Sequence, residues 1–112
     1  MLTITNPDKV DDMILSMLAF YDEYGLLPTW DLMSNETDVM IGYHSVPVIV
    51  DAYFKGLTSA DPERIYTAIK ASAMQDNFGL KLFKEHGYIP SELEYEAVSK
   101  VLEYGFDDWA IA

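Results

Sequence analysis

The chain has 112 residues, half of them hydrophobic and including eight Tyr, five Phe and two Trp, so it can build one core and is too apolar for a disordered segment. Nineteen acidic against seven basic residues give a formal charge of −12, which repels phosphate backbones and excludes the basic footprint of a nucleic-acid binder. The absence of cysteine excludes disulfides, thiolate nucleophiles and cysteine-bound zinc, and no run of about 18 apolar residues marks a membrane span.

Met1-Leu2-Thr3-Ile4-Thr5 has neither a basic n-region nor a long apolar h-region, so no signal peptide is read here and the location stays unknown. From Pro7 to Tyr24 the apolar positions Val10, Met13, Ile14, Met17, Leu18 and Tyr21 follow helical spacing. Asn6 is the expected N-cap, Pro7 the first helical residue, and Gly25 with Pro28 the stop. Residues 25–43 form a connection too long for a simple turn, and long ordered loops tend to carry function.

Ser45 to Lys55 is apolar nearly all the way round. Its β-branched run looks like a strand, but Pro47 near the start, Ala52, and Gly56 after the end predict a helix that must be surrounded. Asp51 interrupts it, and must be paired or face a polar cavity. Asp61-Pro62 predicts a helix to about Gln75, with Ile65, Ala68, Ile69, Ser72 and Ala73 on one face. A short helix from Leu80 to His86 closes at Gly87 and Pro90, and Ser91 or Glu92 opens the last one. There Val98, Leu102, Phe106 and Trp109 form the main stripe, with Ala97, Val101 and Tyr104 beside it.

Glu23-Tyr24-Gly25-Leu26-Leu27-Pro28 is echoed by Glu85-His86-Gly87-Tyr88-Ile89-Pro90, two copies of one helix-stop device. The pattern predicts an all-α chain of helical hairpins. The last residues end in an apolar helical phase with no capping Gly, Asn or basic side chain, and the central helix needs cover on every side. Residues 1–112 are therefore expected to be one section of a larger helical domain.

Asn35-Glu36-Thr37-Asp38 and His44 gather amide, carboxylate, hydroxyl and imidazole within ten residues. Such a group can grip sugar hydroxyls, or it can cap the loop's own backbone, and both readings stand. His44 precedes a helix, whose N-terminus favours a neutral, hydrogen-bonding ring. Asp107 and Asp108 point about 100° apart, so at most one faces any given pocket. They are a poor acid–base pair, because inverting glycosidases place two carboxyl groups about 6.5 to 9.5 Å apart across the bond. Asp8, Asp11 and Asp12 read as solvated helix-face charge.

Phe20-Tyr21-Asp22-Glu23-Tyr24-Gly25-Leu26-Leu27-Pro28-x-Trp30, Asn35-Glu36-Thr37-x-x-Met40-Ile41-Gly42-Tyr43-His44-Ser45-Val46-Pro47-Val48-Ile49-x-Asp51-Ala52-Tyr53-x-Lys55-Gly56, Gly87-Tyr88-Ile89-Pro90 and Val98-Ser99-Lys100-x-Leu102-Glu103-Tyr104-x-x-Asp107-Asp108-Trp109-x-Ile111-Ala112 together resemble glycoside hydrolase family 92, the calcium-dependent exo-α-mannosidases. The resemblance implies part of an (α/α)6 toroid from an inverting enzyme, periplasmic or secreted, that removes terminal mannose from glycans with the help of calcium. It implies substrate-binding or supporting roles for Trp30, Asn35, Glu36, Thr37, His44, Asp107 and Asp108. It assigns no catalytic residue and no metal ligand to this chain, because the family's acid and base segments, Glu-Gly-Asn and Gly-Asn-Asp/Glu-Asp, are not in it. A stand-alone acidic helical interaction module, self-associating through apolar surface, is the rival reading.

Overall fold

Val10, Ile14 and Leu18, each four residues after the last, lie on one face of a helix and are all buried, which fixes how that helix meets the rest of the protein. The computed structural model describes residues 1–33 and 35–112, and these are mostly helical. Leu2–Thr5 form a single turn, α1, and Pro7–Lys9 a 3-10 turn that leads into α2, Val10–Tyr24. Asn6 takes the expected position ahead of Pro7, and its C=O accepts the Lys9 N–H at 3.0 Å. Its backbone N–H also closes α1 on Leu2 O at 2.9 Å, while its side chain makes no cap bond.

Gly25 ends α2 at φ +89 with its N–H on Tyr21 O, and Gly87 ends the later short helix at φ +76 with its N–H on Phe83 O. The two echoed strings are thus one left-handed stop used twice. Between Gly25 and His44, β1 (Asp31–Leu32) pairs antiparallel with β2 (Asn35–Glu36), Asp31 opposite Glu36. Helix α3 (Ser45–Phe54) packs on α2 and on the last helix, so the β-branched run is helical, as Pro47 and Ala52 predict. Asp61 caps α4 (Pro62–Met74) by accepting the Arg64 N–H at 3.1 Å, and Ile65, Ala68, Ile69 and Ser72 turn inward. Helix α5 spans Leu80–His86 and α6 Ala97–Ile111.

The core joins Ile14, Leu18, Val46, Ile49, Ala52 and Ala68, and extends through Leu27, Tyr43, Leu80, Ile89 and Tyr104. Each large aliphatic side chain among them contributes about 1.5 to 3 kcal/mol by leaving water. Asp51 lies on the outer face of α3, paired with Lys55 at 2.7 Å. Asp11 is more than surface charge: its carboxylate takes the Ser59 N–H at 2.8 Å and the Thr58 and Ser59 hydroxyls, stapling the α3–α4 connection to α2.

The last helix departs furthest from its pattern. It begins at Ala97, because residues 91–96 form turns and Glu96 takes a left-handed conformation at φ +56. Its buried face is Ala97, Lys100, Tyr104 and Asp107, while the stripe Val98, Leu102, Phe106 and Trp109 points outward, with Leu102 69% and Trp109 74% exposed. The inward polar groups are all satisfied, Lys100 by Glu94 at 2.6 Å and the Tyr104 hydroxyl by Phe78 O at 2.9 Å. Val48 and Phe54 of α3 are exposed too, so that helix is surrounded on one side only. The radius of gyration, 14.4 Å, exceeds the about 13 Å of a close-packed chain of this length. The elongated shape leaves these apolar faces open to water.

Candidate functional site

The residues singled out in the sequence fall into two bonded clusters, one within the 25–44 connection and one where it enters α3. At the first, the Glu36 carboxylate accepts the backbone N–H groups of Thr29 at 2.7 Å, Trp30 at 3.1 Å, Thr37 at 2.9 Å and Asp38 at 3.3 Å. Burial pushes its pKa up, but these amides outweigh it and hold the carboxyl below the usual glutamate range. The Thr37 hydroxyl donates to Trp30 O at 2.7 Å, and the Asn35 amide to Met33 O at 3.3 Å. Glu36 and Thr37 therefore shape the loop from within, while the Trp30 ring is half exposed.

The second cluster joins the start of α3 to α6. The Tyr43 N–H donates to Asp107 Oδ2 at 2.8 Å, and His44 Nδ1 lies 2.7 Å from Asp107 Oδ1. His44 Nε2 meets Glu103 Oε2 at 2.8 Å, and the Tyr43 hydroxyl donates to Asp108 Oδ1 at 2.5 Å. Asp107 is completely buried, with both oxygens engaged. The Tyr43 and Tyr104 rings stack with centroids 5.3 Å apart. Burial, followed by the Asp108 hydrogen bond, raises the Tyr43 pKa far above its ordinary value. Gly42, at φ +85, leaves room for the imidazole; a Cβ there would sit 2.7 Å from His44 Nε2. The Ser45 hydroxyl donates to Pro28 O, tying the loop's beginning to its end.

Between the clusters lies a cavity of about 20 Å³ lined by Glu36, Tyr43, Gln75, Tyr104 and neighbours, room for about one water and far too little for a sugar ring. The candidate residues thus form a wall, not an enclosed pocket. They do not by themselves suit a calcium ion, which takes six or more oxygens. Among the described residues no group of three His, Cys, Asp or Glu side chains could hold a metal, and the carboxylates of Glu36 and Asp107 are already occupied by amides and imidazole. Also among the described residues, no helix is long and apolar enough to cross a membrane.

Glu103 and Tyr43 were not singled out in the sequence. The signal for Glu103 is its spacing of four from Asp107, which puts both carboxylates on one side of α6. Tyr43 gave no comparable cue, since its value lies in where its amide and hydroxyl point.

This helical arrangement, with a loop held by carboxylates against the last helix, is a section of a glycoside hydrolase catalytic domain, as the family match over the whole chain shows. The Glycosyl hydrolase family 92 catalytic domain matches across residues 1–112, and the chain belongs to that family. It is similar to the solved structure of the family GH92 alpha-mannosidase BT3965 from Bacteroides thetaiotaomicron in complex with mannoimidazole, at 43% identity and a TM-score of 0.88. The match covers 95% of this chain and 14% of that one. A further structure of the same enzyme gives the same identity and TM-score, over 15% of its chain. The chain thus spans about one seventh of the length of these relatives. No curated protein matches it.

Proposed function

We propose that this chain is one section of an inverting, calcium-assisted α-mannosidase that removes terminal α-linked mannose, and that its part is to build a wall of the domain while the chemistry lies in other segments. One observation carries the reading: 95% of the chain superimposes at a TM-score of 0.88 on 14% of an α-mannosidase. The exposed stripe of α6 and the outer face of α3 support it. Val98, Leu102, Phe106 and Trp109 are the faces on which further inner and outer helices of an (α/α)6 toroid would pack. Within that domain Trp30, Asn35 and His44 are the candidates to meet the sugar. Glu36, Thr37, Asp107 and Asp108 hold them in place.

The test is an exchange. Replacing the matching section of BT3965 with these residues is expected to leave a folded enzyme that retains mannosidase activity to within about tenfold, since core packing tolerates volume-conserving substitution. A folded chimaera without measurable turnover would overturn the reading.

The same exposed apolar surface favours a second reading, a self-associating interaction module. Light scattering separates the two. A defined, tightly packed oligomer supports the module, and concentration-dependent association without fixed stoichiometry supports the section.

A further inference from the structure

We propose that the cavity beside Gln75 is a binding site for a single structural water, which joins the end of α4 to the 25–43 connection. Two groups on α4 call for it. Gln75 Oε1 is buried and, among the described residues, accepts no hydrogen bond. Ser72, only 1% exposed, accepts the Leu27 N–H at 2.9 Å, but its own hydroxyl proton meets no acceptor among the described residues. Thr67 on the same helix sends its hydroxyl back to Glu63 O at 2.7 Å, and Ser72 makes no such bond to its own helix. A buried donor and a buried acceptor each left without a partner are costly, so a native site supplies both.

Ser72 and Gln75 stand three residues apart at the C-terminal end of α4 and line one cavity, which Leu27, Thr29 and Glu36 of the connection line as well. Its volume of about 20 Å³ admits one water and nothing larger. The two needs are complementary. A water accepts the Ser72 hydroxyl proton, donates one proton to Gln75 Oε1, and keeps a second for an acceptor of the connection, where Glu36 presents its carboxylate. An apolar occupant would leave both α4 groups unpaired. The backbone beneath the amide is held in place, because Lys84 Nζ donates to Met74 O at 2.7 Å and to Gln75 O at 3.1 Å. The Leu27 N–H, the Ser72 hydroxyl, the water and the Gln75 amide then form one hydrogen-bonded chain, in which each member strengthens the next. The start of the connection is fastened to α4 through this chain, as its end is fastened to α6 by Asp107.

This inference rests on the chain's own geometry and stands apart from the mannoside reading, so sugar binding does not enter its test. The test is a high-resolution crystal structure of the chain, with water as its own probe. One water is expected within about 2.7 to 3.2 Å of both Ser72 Oγ and Gln75 Oε1. No density at that point would overturn the proposal, as would a Gln75 amide turned over to bond its NH2 to a protein carbonyl. A solution measurement accompanies it. In Gln75→Leu, a change at a helix end, the Ser72 hydroxyl loses the bridge that ties it to the amide. The Leu27 amide should then exchange about two- to tenfold faster, the scale of one hydrogen bond, while Ile14 in α2 keeps its wild-type rate. Unchanged exchange at Leu27, or equal acceleration at Ile14, would also overturn it.

Discussion

Asp107 and His44 stand 63 residues apart in sequence and 2.7 Å apart in the structure, and the buried carboxylate also takes the Tyr43 N–H. One side chain thus anchors the end of a long connection to the last helix. Removing it in Asp107→Ala leaves a buried amide and a ring nitrogen without an acceptor, and should cost about 2 to 3 kcal/mol. Asp107→Asn keeps one acceptor oxygen and should cost about half of that. Urea midpoints at constant m-value measure both, and a loss below about 0.5 kcal/mol in Asp107→Ala would show that water replaces the carboxylate freely.

Gly42 and Gly25 offer a matched pair. Both have φ near +90, but a Cβ at Gly42 meets His44 Nε2 at 2.7 Å and one at Gly25 meets nothing within 4 Å. Gly25→Ala should therefore cost only the left-handed backbone strain, about 1 to 2 kcal/mol. Gly42→Ala should cost about 1 kcal/mol more, because the imidazole must leave its carboxylates. Equal losses in thermal or urea unfolding would mean that the ring moves aside without penalty.

Glu36 sets part of the acid response. Its folded pKa lies below the usual glutamate range because four backbone amides outweigh the opposing effect of burial. A depressed carboxyl adds stability that is present above the unfolded value and is lost as pH falls through the folded one. Asp11 and Asp76 are lowered as well and act in the same direction. The difference between wild type and Glu36→Gln, followed by unfolding from neutral pH down through the carboxylate range, isolates the Glu36 share. It should shrink steadily towards acid, and a pH-independent difference would contradict the carboxylate's role.

At the alkaline end the stacked tyrosines respond. Burial, with Glu94 and Asp107 nearby, pushes the Tyr104 pKa up to about 12, and Tyr43 is raised further. A raised pKa means that these rings support the fold fully below the unfolded value of 10.0 and withdraw that support as pH climbs through the folded one. Phenolate absorbance should show Tyr43 and Tyr104 still protonated above the ordinary tyrosine value, ionising only as the chain unfolds. Titration of all eight tyrosines in one step near the ordinary value would place these rings in water.

The parts of the fold legible in the sequence were those written in local chemistry. Asp61-Pro62 announced its helix, Gly25 and Gly87 announced their stops, and Pro47 with Ala52 outweighed a β-branched run. Two things were not legible for one reason: they depend on hydrogen-bond partners that hydrophobic periodicity does not mark. Lys100, Tyr104 and Asp107 do not look like a core face until Glu94, Phe78 O and the Tyr43 amide are seen to satisfy them, so the greasier stripe beside them looked like the inner one. Likewise the loop's polar residues left a sugar grip and a backbone cap both open, and the sequence did not show that four amides converge on Glu36. The strings shared with family 92 reached further than any periodicity, because they carry such pairings implicitly.

The central claim is that this chain forms a wall of an α-mannosidase domain whose acid and base lie in other segments. Incubating the purified chain with an aryl α-mannoside, with and without calcium, tests it most directly. The account predicts no release of phenol above the uncatalysed rate in either condition. Calcium-dependent turnover that disappears in His44→Gln or Asp107→Asn would contradict it and put the chemistry among these residues.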